Sequence, residues 1–153
     1  RDVAPSRGLG DVYKRQVIRR CSELLGDKKI WQFGIRSGEK YEFEWAKKHN
    51  TINKFDLNGL DDLICELKEA NLPVYFTVDL DVLDPSVFPG TGTPEPGGIS
   101  YKKLQDAVIK VCGGLNIIAA DVVELCPHYD QSGASTAIAC KILRELLLAL
   151  SGR

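Results

Sequence analysis

The chain has 153 residues, 44% of them hydrophobic and 27% charged, and a net charge of −1, which is the size and make-up of about one folded domain. That balance gives no electrostatic footprint for nucleic acid or an anionic membrane surface as partner. No apolar run approaches the ~20 residues of a membrane span.

Residues 1–16 carry no apolar period, and "DVYKRQ" (11–16) is the translation of GATGTGTATAAGAGACAG, which resembles the transposon end of sequencing-library adapters. This segment is expected to be non-native, with residues 17–153 carrying the fold. "VIRRCSELLG" (17–26) reads as the last turns of a helix closed by Gly26. "IWQFGI" (30–35) has the aromatic and β-branched content of a buried strand, and "RSGEK" follows as a loop. "YEFEWAKKHN" (41–50) predicts a short helix stopped by Asn50, and "TINKF" (51–55) a short strand. In "GLDDLICELKEAN" (59–71), Leu60, Leu63, Ile64 and Leu67 form one helical face, with Asn58 as cap and Asn71 and Pro73 as its end. "VYFTVDL" (74–80) is the next strand. "SYKKLQDAVIKVC" (100–112) is a helix capped by Ser100 and stopped by Gly113 and Gly114. "NIIAADVVEL" (116–125) is a nearly all-apolar strand, and "ASTAIACKILRELLLAL" (134–150) a long helix opening at Ser132 or Gly133. Strands alternating with helices imply βαβ units, a parallel sheet and helices on both its faces.

The five cysteines are widely spaced and no Cys-x-x-Cys pair occurs, which argues against a structural zinc site and for a reducing compartment, the cytoplasm. Cys65, Cys112 and Cys140 fall in predicted helices and read as small core residues. The absence of methionine suggests a piece of a longer protein.

The strand at 74–80 raises a chemical question, because it ends in carboxylates. Alternation along a strand puts Thr77, Asp79 and Asp81 on one face and Val78, Leu80 and Val82 on the other. The C-terminal ends of parallel strands are where ligand sites of α/β sheets collect. Two adjacent carboxylates are costly unless neutralised, and hard oxygen donors suit magnesium or manganese. Either aspartate could instead cap the following loop. Asp84, before Pro85, reads more readily as a turn residue than as a ligand. The loop "PSVFPGTGTPEPGG" has four prolines and four glycines in fourteen residues, and so presents backbone and hydroxyl groups in a fixed pose.

"TVDLDVLDPSVFPGTGTPEPGG" resembles the third signature of the ureohydrolase superfamily of agmatinases and arginases, and its Pro-Gly-Thr-Gly-Thr-Pro form is similar to the agmatinase branch. "GIRSGEKYEFEWAKKH" and "DVVELCPHYDQSGASTAIACKILREL" are similar to further agmatinase segments, so the resemblance covers residues 17–150. It implies a three-layer α/β/α fold with a parallel sheet, of which this chain is the C-terminal half. It implies two manganese ions (Mn2+), with Asp79 bridging them and Asp81 binding one. It implies that Glu124 faces the guanidinium group of a small substrate, agmatine foremost, which yields urea and putrescine. A homotrimer or homohexamer is implied for the parent. Asp121 is a candidate support for the metal ligands or a strand-end turn residue. The two upstream signatures, G-G-D-H and D-A-H-x-D, do not occur here. His49 reads as solvated, and His128 as a loop or substrate-side residue. The isolated chain is therefore expected to be inactive. The competing reading is a stand-alone, non-catalytic binding or structural relative. A nucleotide-sugar transferase or phosphatase use of Asp-x-Asp leaves the Pro-Gly-Thr loop without a purpose.

Overall fold

The structure is a computed structural model describing residues 17–152, the side chains of Asn53 and Lys54 excepted. The expected adapter-derived segment, residues 1–16, lies outside the described residues. The chain divides into two compact units, one running to Gln32 and including Gly38–Asn53, the other comprising Phe33–Ser37 and Lys54 onward.

In the first unit, helix α1 (17–25) ends at Gly26, which adopts φ +87° and donates its N–H to the Ser22 carbonyl at 2.9 Å. This is the left-handed glycine stop that the sequence predicts. Helix α2 (Lys40–His49) opens with a capping box, in which Glu39 N–H donates to the Glu42 carboxylate at 2.7 Å. It closes at Asn50, whose N–H reaches the Ala46 carbonyl at 2.7 Å. His49 is not simply solvated. One helical turn after Trp45, it stacks on that indole with centroids 4.7 Å apart, and its Nδ1 lies 2.8 Å from Asp27 Oδ1. Strands β1 (Trp31–Ile35) and β2 (Thr51–Lys54), each of which begins in the first unit and ends in the second, pair with each other.

In the second unit, helix α3 (Leu60–Ala70) buries Leu67 and half-buries Leu60, Leu63 and Ile64, the face read from the sequence. Its N-cap is Gly59 in the left-handed region, not Asn58. Asn58 instead donates its N–H to the Asp56 carboxylate at 3.0 Å, an alternative that draws it out of the capping position. Strands β3 (Val74–Asp79) and β4 (Ile117–Val123) run parallel, with Thr77 opposite Asp121 and Val78 opposite Val122. Helix α4 (Tyr101–Gly114) links them. Ser100 caps it through Lys103 N–H at 3.3 Å.

Gly113 and Gly114 do not stop α4 at Cys112; both lie inside the helix, and Leu115 is its C-cap. A Cβ on Gly114 would come within 3.0 Å of Ile64 Cγ2, so this glycine admits the close approach of α3. Helix α5 (Ala134–Leu150) opens at Gly133, as expected.

The core lies between the Val78 face of β3–β4 and helices α4 and α5. Phe88, Val108 and Ile142 are wholly buried, and Leu80, Leu83, Ile99, Leu104 and Leu146 pack around them. Among the described residues the other face of the strand pair is open at Tyr75, Thr77 and Asp79. Cys112 joins the core, but Cys65 and Cys140 are exposed, because each lies on the outer side of its amphipathic helix. No helix among the described residues is long and apolar enough to cross a membrane.

Candidate functional site

Strand β3 ends one residue earlier than alternation suggested, at Asp79, and Leu80–Val82 form a 3-10 turn. Asp79 and Asp81 are therefore not partners on one strand face. They are brought together by the turn, in which the Asp81 N–H donates to Asp79 Oδ1 at 3.1 Å. Leu80, at 1% exposure, anchors the turn in the core and leaves the carboxylates outside it. Burial of the carboxyl group, followed by the charges of Asp81 and then Glu124, pushes Asp79 up to about 7. The residue as a whole remains exposed to solvent, so only its carboxyl end is crowded.

The loop after the turn is closed at its base. Leu83 bridges Ile99, Ile99 N–H donates to the Val82 carbonyl at 3.0 Å, and Asp84 N–H to the Ile99 carbonyl at 3.1 Å. Asp84 is a loop organiser, as the turn reading anticipated. Its carboxylate accepts from the hydroxyl and amide of Ser86 and from the amides of Gly97 and Gly98. These bonds, the Ser86 hydroxyl first, lower it to about 2. A Cβ on Gly98 would overlap the Asp84 backbone, so only glycine fits where the two ends of the loop meet. Phe88 plugs the loop into the core at 0% exposure. Farther along, Thr93 Oγ1 donates to Asp81 Oδ2 at 3.3 Å.

Glu124 comes immediately after β4, at φ +65°, a left-handed conformation that is costly for a residue with a side chain. A Cβ on Gly92 would lie 3.8 Å from Glu124 Oε2, so the loop passes directly over that carboxylate. The structure thus brings Asp79, Asp81 and Glu124 to one end of the strand pair. Asp121 is not a strand-end residue. It sits within β4, opposite Thr77, and accepts hydrogen bonds from the Thr77 hydroxyl at 2.5 Å and from the Tyr75 hydroxyl. His128 stands exposed in a 3-10 turn, Pro127–Tyr129.

Two parts of the site carry no periodic signal in the sequence. Arg36, in the segment read only as a loop, donates to the carbonyls of Asp81, Val82 (2.9 Å), Glu95 (3.2 Å) and Gly34 (3.5 Å). One guanidinium so clamps the turn that carries Asp81 to the loop above it. Ser135, in the first turn of α5, accepts from Gly90 of the same loop, and Asp130 in turn accepts from Ser135 N–H.

The donor set is hard oxygen, and a divalent cation would relieve both the burial and the like-charge crowding of the Asp79 carboxyl. Among the described residues, however, no three His, Cys, Asp or Glu side chains are arranged to hold a metal ion. Asp79 and Asp81 fit such an ion as part of a ligand set and not as the whole.

A sequence profile described as "Arginase family" matches residues 5–149. The agmatinase of Bacillus cereus is 46% identical over 134 residues, covering 86% of this chain and 46% of that protein. The human protein named guanidino acid hydrolase, mitochondrial, is 34% identical over 155 residues, covering 94% of this chain and 44% of that protein. A Clostridium difficile crystal structure of a proposed agmatinase superposes with a TM-score of 0.84 at 48% identity, covering 90% of this chain and 50% of that one. The chain spans about half the length of the curated relatives it matches.

Proposed function

This chain belongs to the arginase family, and from that premise we propose that it is the C-terminal half of an agmatinase-like ureohydrolase. The reaction is hydrolysis of a guanidino compound to urea and an amine, with agmatine giving putrescine. The observation that carries this reading is the convergence of Asp79, Asp81 and Glu124 at the carboxyl end of β3–β4.

In this proposal Asp79 and Asp81 would help to hold two manganese ions, Asp79 contributing to both and Asp81 to one, with histidine ligands supplied by the rest of the protein. When bound, the ions supply the positive charge that lets a water ionise near neutrality. Glu124 accepts paired, charge-assisted hydrogen bonds from the substrate guanidinium and fixes its plane. The 3-10 turn and Arg36 hold Asp81 in place, and the Pro-Gly-Thr loop covers Glu124. Water adds at the guanidinium carbon, the bond to the substrate's alkyl nitrogen breaks, and that nitrogen leaves with a proton as the amine. Asp121 supports the site from within β4 by fixing Thr77, two residues before Asp79. The protein is expected to act in the cytoplasm, as a homotrimer or homohexamer.

The test is urea release by the longer gene product containing this segment, loaded with Mn2+. Agmatine, guanidinobutyrate, guanidinopropionate and arginine serve as substrates, the acids because a relative is named for them. Turnover is expected to be fastest with agmatine, and the 153-residue chain alone is expected to release none. If the longer product releases no urea from any of the four, the non-catalytic reading replaces this one.

A further inference from the structure

The stretch "CPHYDQSGAS" (126–135), which follows β4 and runs into the first turn of α5, has no part in the chemistry above, yet it holds the loop that does. Gly90 is bonded through both of its backbone polar groups. Its N–H donates to Ser135 Oγ at 2.9 Å, and its carbonyl accepts from Cys126 N–H at 2.7 Å. Ser135 is 0% exposed and lies in the first turn of α5. Asp130, at 8% exposure, accepts from Ser135 N–H at 2.7 Å and from the amide and hydroxyl of Ser132 at 3.0 and 2.5 Å. A carboxylate at a helix N-terminus is favoured by the helix dipole and by the open amides there. The helix is itself seated in the core through Ala139, Ile142 and Leu146. The contact is tight: a Cβ on Gly90 would lie 2.6 Å from Ser135 Cβ and 3.1 Å from Asp130 Cβ.

We propose that Ser135, oriented by Asp130, is a positioning residue that latches the Pro-Gly-Thr loop to α5 and so sets the loop's register over Asp81 and Glu124. Gly92 and Thr93 follow the latch by two and three residues, too few for slack to build up. Gly92 faces Glu124, and Thr93 donates to Asp81 Oδ2. Displacing Gly90 therefore disturbs both carboxylates at once. Asp130 is held well below the usual carboxylate range, first by the Ser132 hydroxyl and then by Ser135. The functional part of this inference rests on the ureohydrolase reading; the latch itself does not.

The test uses Ser135→Ala, Ser135→Gly, Gly90→Ala and the double variant Gly90→Ala/Ser135→Gly. Hydrogen exchange on the 153-residue chain reads the latch. Ser135→Ala is expected to speed exchange of the Gly90 amide about tenfold, the loss of one buried hydrogen bond, with core amides such as Val108 unchanged. Unchanged Gly90 protection overturns the proposal. In the longer product, Ser135→Ala is expected to raise the Mn2+ concentration for half-activation and lower kcat, each by about tenfold, with KM for agmatine moved less. The double variant removes the closest clash of the added methyl, with Ser135, but does not restore the hydrogen bond, so it should stay as slow as Ser135→Gly. Recovery to wild-type rate would mean that packing, not the bond, is what matters, and would overturn it as well. If the wild-type longer product is inert, the reaction assignment fails, and hydrogen exchange alone decides the latch.

Discussion

Replacing Arg36 by methionine keeps the aliphatic stem and removes every donor from the clamp. Of its four carbonyl partners, those of Asp81 and Val82 take the shortest bonds. A hydrogen bond from a charged donor contributes about 1.5–3 kcal/mol. Because water can replace part of that at a half-exposed turn, the net loss should be about 2–3 kcal/mol for the pair. For a chain of this length that lowers Tm by about 5–10 °C. Lysine should recover less than half, since one ammonium cannot reproduce a planar fork across several carbonyls. The recorded partners are carbonyl dipoles and not carboxylates, so the loss should persist in about 1 M salt, where surface ion pairs are screened. Thermal melts followed by circular dichroism, in low and high salt, measure all of this. A methionine variant within about 2 °C of wild type, or a lysine variant equal to wild type, would refute the clamp.

The other predictions concern the loop's anchors. Phe88→Ala, at a site with no solvent exposure, should cost about 3–5 kcal/mol in urea unfolding, and Phe88→Leu less than about 1.5 kcal/mol; an alanine cost below about 1 kcal/mol would contradict the packing described. Asp84 is lowered from 3.8 to about 2 in the folded chain, so it contributes stability above pH ~4 that is lost as pH falls toward ~2. Wild type should therefore lose Tm more steeply than Asp84→Asn on acidification from about pH 5 to 3, and equal slopes would remove Asp84 from the account.

The elements with a single apolar face, α3 and α5, were legible because their burial is periodic. The arginase-family fold was legible because the long Pro-Gly-Thr signature is specific. Errors fell where local chemistry competes with pattern. Alternation carried β3 one residue too far, since a strand and a tight 3-10 turn look alike over "DLDV". Glycines at 113 and 114 looked like a stop but lie inside α4, and Gly114 is a packing contact with Ile64. Asn58 looked like a cap and is held by Asp56. Cys65 and Cys140 looked apolar enough for the core but fall on the outer faces of their helices. Arg36 and Ser135 left no trace because their partners are backbone groups distant in sequence, and a carbonyl or amide has no residue identity to read.

The most direct test of the central claim is metal content and urea release measured together on the Mn2+-loaded longer product, wild type against Asp79→Asn. Two ions per chain are expected in the wild type. In the variant one or none is expected, with urea release from agmatine lowered by at least ~10³-fold, on the scale set by losing water activation. A variant that keeps both ions and wild-type turnover would contradict the role given to Asp79, and with it the reading of the β3 carboxylates as half of the metal site.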